Sequence, residues 1–134
     1  MAYQKTIKKE GTMSQVLGFT CSCFDLLHVG HVIMLREAKE QCDYLVVGLQ
    51  TDPTVDRPEK NTPVQSLIDR YEQLDAIKYV NRILLYETED ELYRALQDLD
   101  PDIRFIGTDH RGKDFTGHDL PIEICYTTRY GHST

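Results

Sequence analysis

A chain of 134 residues, 40% hydrophobic and 28% charged, is long enough to bury one core and too short for two ordinary domains. Its formal net charge of −7 excludes a broad basic face for nonspecific nucleic-acid binding, so a polyanionic ligand has to be met by a local basic pocket. No apolar run reaches the roughly 20 residues that cross a bilayer, and the N-terminus lacks the apolar core of a secretory signal. A cytoplasmic protein without a membrane or nucleic-acid partner is expected.

Residues 1–15 are polar and show no sustained period, which reads as a flexible arm ahead of a single domain over 16–134. Val16 to about Cys23 is an apolar run of strand length, and Val32 to Cys42 is an amphipathic helical stretch. Between them lies Phe24-Asp25-Leu26-Leu27-His28-Val29-Gly30-His31. Phe24, Leu26 and Leu27 are expected in the core, and Asp25 is expected to bond backbone N–H groups of the turn. A strand-to-helix turn aims unpaired N–H groups and the positive end of the helix dipole over the carboxyl end of the strand, where phosphate binds readily. Gly30 leaves the backbone open to a ligand between two imidazoles. A zinc-protease helix would space its histidines four apart around a glutamate, so no metal site is expected here.

Leu45-Val46-Val47-Gly48-Leu49 is the unbroken apolar run of a strand covered on both faces, and strand, helix, strand in this spacing is a right-handed crossover unit. Pro53, Pro58 and Pro63 make 53–63 an irregular loop at the carboxyl edge of that strand, carrying Arg57 and Lys60. Ser66 caps a helix running to about Lys78, with Arg70 on it free either to grip phosphate or to pair with Asp69 or Glu72. Tyr79 to Leu85 forms a strand, Thr88 caps a helix striped by Leu92, Ala95, Leu96 and Leu99, and Pro101 stops it. Ile103-Arg104-Phe105-Ile106 is the next strand, with Gly107-Thr108-Asp109-His110 as its exit loop and Lys113 in the polar segment that follows. Pro121 to Cys125 alternates as an edge strand does. Cys21, Cys23, Cys42 and Cys125 read as reduced, packed thiols, because three of them fall in or beside apolar strand or helix stretches. The sum is a single-domain Rossmann-like α/β fold, a parallel sheet with helices on both faces.

The segment from Phe24 to His31 resembles the signature of the HxGH nucleotidyltransferases. Its surroundings, Asp43 to Gly48, Thr51-Asp52, Arg70, Lys78-Tyr79-Val80, Gly107-Thr108-Asp109 and Gly131-His132-Ser133-Thr134, resemble the small cytidylyltransferases of the glycerol-3-phosphate type. The likeness spans about residues 16–134. It implies transfer of CMP from CTP to a small phosphorylated alcohol, glycerol 3-phosphate first, with release of pyrophosphate. ATP with a sugar phosphate such as heptose phosphate is the alternative, since heptose-phosphate adenylyltransferases share the motif, and a nucleotide-binding module without turnover is a further one.

The resemblance also implies site residues. His28, His31, Lys60 and Arg70 would act on the phosphates, with Arg57 and Lys113 as further phosphate contacts. Ser22, Cys23, Phe24, Gly30, Asp109, Arg129, Gly131, Ser133 and Thr134 would bind the nucleotide. Magnesium would bridge phosphate oxygens with few protein ligands, and a homodimer is expected. The chain departs from the family pattern at Ser22 and Cys23, where Gly and Thr are common, at Ile33, commonly a lysine, at Thr128 and Arg129, where the usual arginine is offset by one, and at His132.

Overall fold

The computed structural model describes residues 15–127. Its elements follow in the order β1 (Leu17–Ser22), α1 (Val29–Glu40), β2 (Tyr44–Gln50), α2 (Leu67–Asp75), β3 (Arg82–Tyr86), α3 (Glu89–Leu99), β4 (Ile103–Gly107), a single 3-10 turn (Thr108–His110) and β5 (Glu123–Thr127). The strands form one parallel sheet in the order β3-β2-β1-β4-β5. This is the Rossmann-like arrangement expected from the alternation of apolar runs and amphipathic stretches.

Side-chain alternation along the strands sorts the core into two layers. Leu45, Val47 and Leu49 face one side with Phe105, and are covered by Leu35 and Ala38 of α1 and Leu74 of α2. Leu17, Phe19 and Val46 face the other and are covered by Leu92 and Leu96 of α3. Gly18 belongs to the first layer, where α1 runs so close that a β-carbon would stand 2.7 Å from Cys42 Sγ and 2.9 Å from the Phe105 ring.

Element boundaries shift where capping and packing override periodicity. α1 begins three residues before the expected Val32, because His28 serves as its N-cap and places Gly30 and His31 inside the first turn. Ser66 and Thr88 cap α2 and α3 as expected, each accepting from the backbone N–H three residues on. α2 stops at Asp75 rather than near Lys78, since Ile77, Tyr79 and Val80 turn off the helix axis to pack against the first core layer. β3 therefore starts at Arg82. Asp100 takes the left-handed conformation at the end of α3, and Pro101 follows it.

The strand order places a reversal between β1 and β4. From β1 the chain winds outward to β2 and β3, then returns across the sheet and winds the other way through β4 and β5. β1 pairs with β4 through only Gly18↔Ile103 and Phe19↔Arg104, whereas it pairs with β2 along its whole length. Toward their carboxyl ends the two central strands thus lack a shared ladder, and ligands of open α/β sheets bind at such a crevice.

Candidate functional site

A cavity of about 1080 Å³ opens at this carboxyl edge. Its walls come from the end of β1 and the turn after it, from loop 51–63, from residues 86–92, and from residues 104–118. Ser22, Cys23, His28, Gly30, His31, Arg57 and Lys60 of the expected site residues all line it.

The turn is held in a strained form. Phe24 and Leu26 both have positive φ, 49° and 55°, which side chains of this size rarely adopt. Three ties hold it. Phe24 is buried and its N–H reaches Ser22 Oγ at 3.4 Å; Leu26 N–H donates to Gln65 Oε1 at 2.9 Å; the Asp25 carboxylate accepts from Val64 N at 2.8 Å and Gln65 N at 3.0 Å. Desolvation, the largest single influence on the Asp25 carboxyl, pushes it up, but the hydrogen bonds from Gln65 and Val64 and the charge of Arg70 outweigh it and hold it below the usual range. Leu26, expected in the core, is instead 54% exposed, because the left-handed backbone carries its side chain outward. Phe24 lies in the core and not on the cavity wall, with its ring tilted against that of His31 at 5.5 Å.

The two histidines cap the helix reciprocally. Gly30 N–H donates to His28 Nδ1 at 3.0 Å, and His28 N–H donates to His31 Nδ1 at 3.2 Å, with the rings 4.2 Å apart. A nitrogen that accepts carries no proton, so each neutral ring bears its proton on Nε2. Both imidazoles are thereby set as Nε2–H donors at the N-terminus of α1, where the helix already favours negative charge.

Arg70, expected on the triphosphate, stands elsewhere. It is 2% exposed and absent from the cavity wall. Its Nε donates to Gln65 O at 3.2 Å, Nη1 to Gln50 O at 2.7 Å and Cys23 O at 3.2 Å, and Nη2 to Thr51 O at 2.7 Å. The guanidinium ties the ends of β1 and β2 to the start of α2 from behind the site, and it pairs with neither Asp69 nor Glu72. Lys113 is exposed and off the cavity wall as well. Asp109 falls in the 3-10 turn after β4. Arg129, Gly131, Ser133 and Thr134 lie outside the described residues.

Sequence reasoning missed the far wall. Arg104 on β4, Tyr86 at the end of β3, Glu89 at the start of α3, and Thr116 and His118 all face the cavity. Glu89 Oε1 accepts from Thr116 Oγ1 at 2.6 Å, its Oε2 lies 3.8 Å from Arg57, and its N–H donates to Asp56 at 2.8 Å, so loop 51–63 is moored to α3. Burial raises the thiol of Cys21 and the phenol of Tyr86 above their ordinary values, which leaves both neutral. The available signal was Arg104 itself, the one charge in an otherwise apolar buried strand.

Among the described residues no three His, Cys, Asp or Glu side chains converge as metal ligands, and no helix is long and apolar enough to cross a membrane. All four cysteines are free thiols.

The family model described as cytidylyltransferase-like matches residues 19–123, which takes in the turn, the loop and both walls. Similar curated proteins include the bifunctional protein HldE of a Nitratiruptor species, 37% identical over 107 residues, 79% of this chain and 23% of that protein. HldE of Paramagnetospirillum magneticum is 41% identical over 107 residues, 79% of this chain and 22% of that protein. The chain thus spans about a quarter of the length of the curated relatives it matches. Among solved structures, the lipopolysaccharide core biosynthesis protein of Thermoplasma volcanium superposes with a TM-score of 0.72 at 26% identity, covering 87% of this chain and 98% of that one. Pantoate-beta-alanine ligase from Francisella tularensis shares the fold alone, with a TM-score of 0.58 at 15% identity over 92% of this chain and 62% of that one. With the family model matched across the whole histidine turn and both central strands, the chain belongs to the cytidylyltransferase-like family of HxGH nucleotidyltransferases.

Proposed function

We propose that this domain transfers a nucleotidyl group from a nucleoside triphosphate to a small phosphorylated acceptor. The observation that carries the reading is the pair of imidazoles locked by reciprocal capping at a helix N-terminus over the strand reversal. An oxygen of the acceptor phosphate attacks the α-phosphorus in line, the new P–O bond forms, and the bond from the α-phosphorus to the bridging oxygen breaks as pyrophosphate leaves. The attacking phosphate is already anionic, so the site has no proton to remove; its work is to position the reactants and stabilise charge. His28 and His31 donate through Nε2 to phosphate oxygens, while Lys60 and Arg57 on loop 51–63 balance the departing pyrophosphate. Magnesium would enter as part of the nucleotide substrate and offset charge on its phosphates.

ATP with a sugar phosphate is better supported than CTP with glycerol 3-phosphate. The similar curated proteins are HldE proteins, and a solved relative is named for biosynthesis of the lipopolysaccharide core, a saccharide. The CTP reading rests on the family model, which is named for cytidylyltransferases. The proposal includes a homodimer, for which Leu26, Val29, Val64 and Ile68 provide exposed apolar side chains on the turn and on the segment that holds it.

The test is pyrophosphate release with ATP or CTP, with and without magnesium, against sugar phosphates, glycerol 3-phosphate, phosphocholine and phosphoethanolamine. Release that needs magnesium, ATP and a sugar phosphate together, and that disappears in His31→Ala, is the expected result. Release only with CTP moves the domain to the second reading. Nucleotide binding without release for any pair would overturn transfer and leave a binding module.

A further inference from the structure

We infer that the wall of the cavity on the α3 side is the acceptor's subsite, with Arg104 as the cation that holds its phosphate. The inference rests on the reading above and adds the residue that holds the acceptor.

Arg104 is 5% exposed and lines the cavity. All its contacts among the described residues are neutral: Nη1 donates to Thr116 O, Nη2 approaches Cys21 Sγ at 3.8 Å, and the guanidinium lies over the Phe115 ring at 5.1 Å. Its Nε has no partner, and no carboxylate among the described residues comes within ion-pair distance. A buried guanidinium without a counter-anion is unfavourable, and an anion entering the cavity removes that penalty. The contrast with Arg70 is direct, since that equally buried guanidinium has partners for all three of its nitrogens.

The surroundings of Arg104 narrow the anion. Glu89, on the same wall, is fixed between Thr116 and Arg57, and its carboxylate oxygens remain acceptors for ligand hydroxyls. An unpaired cation and, elsewhere on the same wall, a fixed carboxylate suit a phosphomonoester that also carries hydroxyl groups. Such a ligand is a polyol or sugar phosphate. The triphosphate has its own donors among the lining residues in His28, His31 and Lys60, which leaves Arg104 for the second reactant. At about 1080 Å³ the cavity stands at the upper end of the roughly 300–1,000 Å³ typical of small-molecule sites.

The decisive measurement is calorimetric binding of a sugar 1-phosphate, and of the same sugar without phosphate, to protein saturated with magnesium and a non-reacting α,β-methylene nucleotide. Arg104→Met is expected to weaken the sugar phosphate at least tenfold, leave nucleotide affinity within twofold and leave the weak binding of the free sugar unchanged, with Arg104→Lys between. In wild-type protein the Arg104 Nε–H resonance is expected to move when the sugar phosphate is added and to stay when the free sugar is, a readout that survives if the variants fail to fold. An unmoved resonance, an unchanged affinity for the sugar phosphate in Arg104→Met, or an equal loss for nucleotide and acceptor would overturn the assignment. Because binding is read without turnover, Arg104-dependent binding without pyrophosphate release would uphold the subsite and reject the transferase. Turnover with an unmoved acceptor KM in Arg104→Met would do the reverse.

Discussion

His28 does two jobs with two different nitrogens. Nδ1 caps α1 by accepting from Gly30 N–H, and on the proposed reaction Nε2 would be the donor to phosphate. Asparagine separates them, since it ranks among the best N-caps while ending well short of an imidazole's far edge. His28→Asn is therefore expected to hold the melting temperature within about 3 °C, given caps worth about 1 kcal/mol, while lowering turnover by roughly 10²–10³, the usual cost of one donor to developing charge. Thermal unfolding and steady-state rates on the same sample check it, and an asparagine variant with full turnover would remove His28 from the chemistry. At this scale the sequence spoke through residue type and spacing: two histidines around a glycine between a strand and a helix marked the turn. Spacing carries no information about burial, so it could not show that Arg70 spends its donors on backbone carbonyls, nor that Arg104 stands in the cavity wall.

At the scale of elements, the site depends on how the turn after β1 is fastened to the segment before α2. Asp25 is the clasp, accepting from two N–H groups in residues 64 and 65 while Gln65 returns a bond to Leu26. Its carboxyl is held below the ordinary value of about 3.9, so in the acidic window the unfolded chain binds more protons than the folded one. The stability it contributes is complete above that ordinary value and is lost as pH falls through the lower folded one. Urea unfolding of wild type and Asp25→Asn is expected to give a difference that is constant from about pH 5 to 8 and shrinks below about pH 4. A difference that stays constant through the acidic range would place the stabilisation outside this carboxylate. The caps at Ser66 and Thr88 and the stop at Pro101 were legible because they are local. The early end of α2 was not, because it is decided by where Ile77, Tyr79 and Val80 find the core.

Across the whole molecule, the alternation of apolar runs and amphipathic stretches was enough to foresee a parallel sheet with covered faces, but strand order is a property of the assembled chain. The reversal between β1 and β4 creates the crevice, and four segments far apart in sequence supply its walls: the end of β1 with its turn, loop 51–63, residues 86–92 and residues 104–118. Among themselves these segments are joined by few polar ties, chiefly those of Asp56 and Arg57 to Glu89 and of Glu89 to Thr116. On the proposed function a nucleotide seated there would bridge the turn after β1, loop 51–63 and the exit of β4, and binding to the folded state alone stabilises by about 2.7 kcal/mol at a hundred times Kd. For a domain of this size that corresponds to roughly 10 °C in melting temperature. Hydrogen exchange in saturating nucleotide and magnesium is expected to slow in residues 22–31, 51–63 and 107–111 and to stay unchanged at 94–99, the far end of α3. Protection confined to one segment would place the nucleotide on a single wall and not across the strand reversal. Uniform protection over the chain would mean that global unfolding, rather than local opening at the site, governs exchange.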